Sequence, residues 1–171
     1  AVLRGMRLIK DSEEINWMVE AGAVTAAAIN LAMQATKPGI YEYQLGAIAD
    51  GMFLSAGASG SGYRPIIAQG ENIWNAHYFR NNSRLSDGEL VIMDYAPDLH
   101  YYTSDIGRMW PVNGIYSEVQ RELYGFIVEY HKILLDVIAP GLTPEEVHEN
   151  AKPEGLALVK SWRWAKDIYQ Q

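Results

Sequence analysis

The stretch Leu90-Val-Ile-Met-Asp94-Tyr-Ala-Pro-Asp-Leu-His-Tyr-Tyr-Thr-Ser-Asp105-Ile-Gly-Arg108 sets two aspartates eleven positions apart and decides how the chain reads. Asp94 ends a run of apolar strand formers, Asp105 ends a run rich in Tyr and Thr, and Ala96-Pro97-Asp98-Leu99 between them carries turn chemistry. The pattern predicts a β-hairpin with its turn centred on Asp98 and Leu99. In that register Asp94 pairs with Thr103, and Asp105 lies diagonally beyond it on the same face, within roughly 8 Å. Leu90 to Met93 reads as buried on both faces, a setting in which Asp is rarely left without a partner. Two carboxylates brought together repel unless a cation or a shared proton neutralises them. A divalent metal ion is the natural occupant of such a site.

Working outward, Asp11 and Ser12 can cap a helix that ends at Lys37-Pro38-Gly39. Its apolar positions Ile15, Met18, Val19, Gly22, Ala23, Ala26 and Ile29 recur at helical spacing. A second helix is expected from Tyr41 to Ser55, followed by a Gly/Ser loop from Gly57 to Gly62. Short strands are expected near Arg64 to Ala68 and around Ile73 to His77. After the hairpin, Ser117 and Gln120 form a capping box for a third helix, with Val119, Leu123, Phe126, Ile127, Tyr130 and Leu134 on one side. Pro140-Gly141 stops it, and Thr143, Pro144 and Glu146 start a fourth. The stretch Lys160 to Lys166, with Trp162, Arg163 and Trp164, reads as a terminus packing its aromatic side.

Several of these segments in order resemble the pita-bread metallopeptidases, in their Xaa-Pro aminopeptidase and prolidase branch. The resemblance rests on His77-Tyr78, on Leu85-Ser-Asp-Gly-Glu-Leu-Val-Ile-Met-Asp94, and on Tyr102-Thr-Ser-Asp105-Ile-Gly-Arg108. It continues through Pro111-Val-Asn-Gly114 and Ser117-Glu-Val-Gln-Arg-Glu-Leu-Tyr124, and spans roughly Leu3 to Ala151. It implies an α+β pita-bread half domain, an antiparallel sheet with helices packed on one face. It also implies a single partial catalytic domain over 1–171, with a lead-in at 1–10, a family-like portion at 11–151 and an atypical tail at 152–171.

The family's activity implies a metal-dependent exopeptidase that releases the N-terminal residue of Xaa-Pro peptides. By resemblance Asp94 and Asp105 are metal ligands, His77 contacts the substrate as the catalytic histidine, and Tyr63 and Arg108 support the ligand shell. Two ions share five ligands in such enzymes, manganese being favoured by the carboxylates, with zinc, cobalt or iron admitted by a mixed shell. The remaining histidine and two glutamates come from a second half that this chain is expected to lack, so activity of the chain alone is not expected. Three positions depart from the pattern. Ala96 stands where the family usually has Gly, and Gly107 and Met109 stand where it usually has Thr flanking the arginine. Two other readings compete: a non-catalytic pita-bread module that binds peptides or proteins, and a metal-free hydrolase of the creatinase type. The retained Asp94 and Asp105 disfavour both.

The 171 residues carry 14 basic and 21 acidic side chains, a formal charge of -7 that argues against nucleic acid or an anionic membrane as partner. Cysteine is absent, which excludes disulfides and thiol catalysis and fits a reducing, cytoplasmic setting. No apolar run approaches the ~18 residues of a membrane span. Expected partners are peptides with proline in second position, and a second copy of the chain pairing along an open sheet edge.

Overall fold

The computed structural model describes residues 2–164. Their order is α1 (Val2–Met6), α2 (Ser12–Ala35), α3 (Glu42–Ser55), β1 (Gly60–Ser61), β2 (Ile66–Gln69), β3 (Leu90–Asp94), β4 (Pro97–Asp98), β5 (Gly107–Pro111), α4 (Glu118–Val137) and α5 (Pro144–Ser161). The chain divides into two compact units, one ending at Ile115 and one beginning at Tyr116.

In the first unit, Asp11 caps α2 by accepting from the Glu13 and Glu14 backbone N–H groups, and Glu14 returns a bond to the Asp11 backbone. The buried face of α2 is Ala21, Thr25, Ala28, Ile29 and Ala32. This corrects the expected stripe, since Ile15, Met18 and Val19 are exposed. Small residues win the inner face because they let the helix approach its neighbours closely. Leu45, Ala49 and Phe53 of α3 join that face, and Ile67, Val91, Met93 and Trp110 of the strands complete the core.

The sheet is antiparallel, as expected, with the order β2-β3-β5 and a separate β1-β4 pair. Its hairpin register differs from the sequence expectation. Leu99 bridges Tyr102 and Asp94 pairs with Gly107, so the turn centres on His100 and Tyr101 rather than on Asp98 and Leu99. Both central residues have positive φ, 54° and 63°, the backbone of a two-residue type I′ turn without its usual Asn-Gly. Pro97 and Asp98 are instead drawn into strand pairing with Ser61 and Gly60. The partner of Asp94 shifts from Thr103 to Gly107, an even number of residues. Asp94 ends β3, and Asp105 lies two residues before β5, outside the paired ladder.

The run Leu90 to Met93 is not buried on both faces. Val91 and Met93 are buried in the core, while Leu90, Ile92 and Asp94 are half-buried on the opposite side. The strand expected around Ile73 to His77 is a 3₁₀ turn, Gly70–Trp74, entered through Gly70 at a φ of 53° that ends the extended run.

In the second unit, Ser117 and Thr143 cap α4 and α5 through capping boxes with Gln120 and Glu146, as the sequence predicts. Leu123 and Ile127 of the expected inner stripe of α4 are exposed. Phe126 and Tyr130 carry the packing: Trp162 and Trp164 lie 5.7 and 5.0 Å from the Phe126 ring, and Tyr130 sits against Gly155. Helix α5 continues through Pro153, across the 151–152 division set out above. The tail from residue 165 on, with Lys166, lies outside the described residues.

Candidate functional site

Asp94 closes β3 on the face turned away from the helices. The Tyr63 hydroxyl donates to its Oδ1 at 2.6 Å. Asp105 is exposed, three residues past Tyr102, and its direction is set by its neighbours. On one side, the Ser104 hydroxyl lies 2.7 Å from Thr25 Oγ1. Thr25 is fully buried on α2 and donates its single proton to the Ala21 carbonyl at 2.8 Å, so Ser104 is the donor between the two hydroxyls. On the other side, Ile106 packs against the core. Ser104 and Ile106 thus face inward, and Asp105 between them is exposed.

Both aspartates act on Tyr63. Its phenol is pushed far above its ordinary range, chiefly by burial, then by the Asp94 hydrogen bond and by the negative charges of Asp94 and Asp105. A backbone hydrogen bond from Ile106 opposes the shift. The hydroxyl therefore sits where both carboxylates are felt. Among the described residues neither aspartate has a Lys, Arg or His ion-pair partner, and no third His, Cys, Asp or Glu joins them in a metal-sized group. Two carboxylates acting on one phenol are an oxygen donor set of the kind that suits a hard divalent cation.

The other expected site residues are Arg108 and His77. Arg108 is exposed, and its Nη1 donates to the Gly107 carbonyl at 2.7 Å. His77 is exposed in the loop after the 3₁₀ turn, with φ at 54°. It lines a cavity of about 590 Å³ together with Asn72, Tyr78, Arg80, Asn82 and Ser83. His100 serves the hairpin turn and stacks on Trp17 at 5.3 Å.

Glu42 was not read from the sequence as part of the site. A Glu in the first turn of a helix is an ordinary match to the helix dipole, so nothing in its spacing marks it. In the fold it is fully buried, and its carboxylate gathers donors from both ends of the His77 loop. The Thr25 hydroxyl was likewise hidden within a run of alanines.

The chain is similar to known proteins over most of its length. The Xaa-Pro aminopeptidase of Haemophilus influenzae is 35% identical over 158 residues, covering 91% of this chain and 37% of the relative. That of Escherichia coli is 37% identical over 146 residues, covering 85% and 33%. The solved structure of the Pseudomonas aeruginosa aminopeptidase PepP superposes with a TM-score of 0.84 at 34% identity, over 90% of this chain and 35% of that one. The chain thus spans about a third of the length of the relatives it matches. Residues 16–153, which hold Tyr63, His77, Asp94 and Asp105, match the model of Metallopeptidase family M24, and the chain belongs to that family.

Proposed function

We propose that this chain contributes the first two metal ligands, Asp94 and Asp105, to the centre of an exopeptidase that releases the N-terminal residue of Xaa-Pro peptides. The observation that carries the reading is the placement of the Tyr63 hydroxyl, bonded to Asp94 and within the field of Asp105. Divalent ions, when bound, supply Lewis acidity and a hydroxide at neutral pH. The chain's own residues hold and orient. Asp94 keeps one oxygen engaged by Tyr63 and offers the other. Asp105 is presented from the segment before β5, which Ser104 ties to α2. His77 contacts the peptide near the scissile carbonyl, and Arg108 stands beside the ligand strand as an exposed positive charge. Proline in second position comes to this reading from the family branch, as do two ions in the full centre.

Manganese is the proposed metal, since carboxylate donors favour it. The absence of cysteine supports a reducing, cytoplasmic setting, and no helix among the described residues is long and apolar enough to cross a membrane. A second copy of the chain is the proposed protein partner, checked by sedimentation of the purified protein.

Electron paramagnetic resonance of added manganese tests the site. Weak binding to the 171-residue protein that is lost in Asp94→Ala supports the reading. Protein that takes no manganese yet binds Ala-Pro-Ala equally well with and without that substitution would instead identify a peptide-binding module.

A further inference from the structure

His77 stands in a backbone conformation that an L residue seldom adopts, with φ at 54°, on an exposed loop. Such a conformation persists only where the surrounding structure imposes it. The loop that carries it is gathered on one buried carboxylate. Glu42, at the first turn of α3, is fully buried. Its Oε1 accepts from the Gln69 backbone N–H at 2.9 Å and from Asn72 Nδ2 at 3.1 Å. Its Oε2 accepts from the Tyr78 hydroxyl at 3.0 Å and from the Ser83 backbone N–H at 2.9 Å.

These four donors are spread along the loop in a telling order. Gln69 precedes it and Ser83 closes it, while Asn72 lies in its 3₁₀ turn and Tyr78 is the residue next to His77. Asn72 Nδ2 also reaches the Tyr78 hydroxyl at 3.1 Å and Ser83 Oγ at 2.8 Å, which locks the same three residues to one another. Asn72, Tyr78 and Ser83 all line the cavity that His77 borders, so a single side chain behind that wall sets its shape. A buried carboxylate demands several donors, and here the demand is met almost wholly by the segment that carries His77.

We propose that Glu42 is a positioning residue for His77. It acts through Tyr78 and Asn72 to hold the loop closed and the histidine backbone in its left-handed conformation. The assignment of a task to His77 rests on the peptidase reading above, whereas the mechanical coupling of Glu42 to His77 does not.

The test is nuclear magnetic resonance of the isotope-labelled 171-residue protein as wild type, Glu42→Gln and Tyr78→Phe. The carboxamide in Glu42→Gln turns one acceptor into a donor that meets a backbone N–H. Tyr78→Phe removes the hydroxyl that donates to Glu42 and accepts from Asn72, with little change of shape, and decides the matter if Glu42→Gln does not fold. The readouts are the His77 amide to Hα coupling and carbon shifts, which report φ, and amide exchange along 70–83. The expected result is that the His77 signature leaves its wild-type value in Tyr78→Phe. Exchange of the loop amides should also rise roughly five- to ten-fold, while Val91 and Met93 stay protected. A folded Tyr78→Phe protein with the His77 signature and loop exchange of the wild type overturns the proposal. Addition of Ala-Pro-Ala to the wild type separates the two readings: imidazole resonances of His77 that ignore the peptide refute its substrate contact and leave the positioning result standing.

Discussion

The Tyr63 hydroxyl donates to Asp94 Oδ1 at 2.6 Å while lying in the field of Asp105. One phenol thus holds the first aspartate and senses the second. Tyr63→Phe removes that donor and frees Asp94 to rotate. Groups that hold a ligand in this way typically change metal affinity roughly 10- to 100-fold. Manganese titration of Tyr63→Phe should show a loss of that order, with Asp94→Asn and Asp105→Asn losing more. Undiminished affinity in Tyr63→Phe would remove the phenol from the site.

The Thr25–Ser104 pair links α2 to the segment that carries Asp105. Thr25→Val keeps the shape and removes the hydroxyl, leaving Ser104 without its buried acceptor. The cost should be about 1–3 kcal/mol, the penalty of an unsatisfied polar group, and urea unfolding measures it. Thr25→Ser should recover most of the loss, because it restores the hydroxyl.

Gly62 is the close approach that brings the Tyr63 segment onto the hairpin. A Cβ there would stand 2.5 Å from Thr103 Oγ1 and 3.0 Å from the Pro97 carbonyl oxygen. The Thr103 side chain is too short to swing clear and the carbonyl is main chain. Gly62→Ala should therefore destabilise the protein by roughly 1–3 kcal/mol and displace Tyr63. A thermal melt matching that of the wild type would contradict this.

Tyr95 couples stability to alkaline pH. Burial, and then its 2.5 Å hydrogen bond to Asp50, raise its phenol from 10.0 to about 12. A raised folded-state value means that the native protein holds this proton more tightly than the unfolded chain does. Its contribution is complete below about pH 10, where both states are protonated, and is lost as pH rises from there to about 12. Urea midpoints should fall across that window, and Tyr95→Phe should flatten the fall.

Among the described residues no group of three or more His, Cys, Asp or Glu side chains could hold a metal ion. A polypeptide of residues 1–171 should accordingly release no alanine from an Ala-Pro peptide in the presence of manganese. Measurable release would show that a working centre forms by other means.

Local rules in the sequence were enough for the helix starts. Asp11, Ser117 and Thr143 announce α2, α4 and α5, since a cap and its reciprocal Glu or Gln lie within one turn of each other. The antiparallel hairpin that joins β3 to β5 was legible too, from the apolar run of Leu90 to Met93 and the turn chemistry that follows it. The register itself was decided by tertiary structure. Pro97 and Asp98 carry turn chemistry, yet β1 offers them strand partners, and the turn moves to His100 and Tyr101, whose types do not advertise positive φ. The inner face of α2 was decided in the same way, because close packing rewards Ala21, Thr25, Ala28 and Ala32 over the larger Ile15, Met18 and Val19. Glu42 was beyond the reach of the sequence for a further reason. Its donors lie 27 to 41 residues away, and only the fold decides which buried carboxylate they will meet.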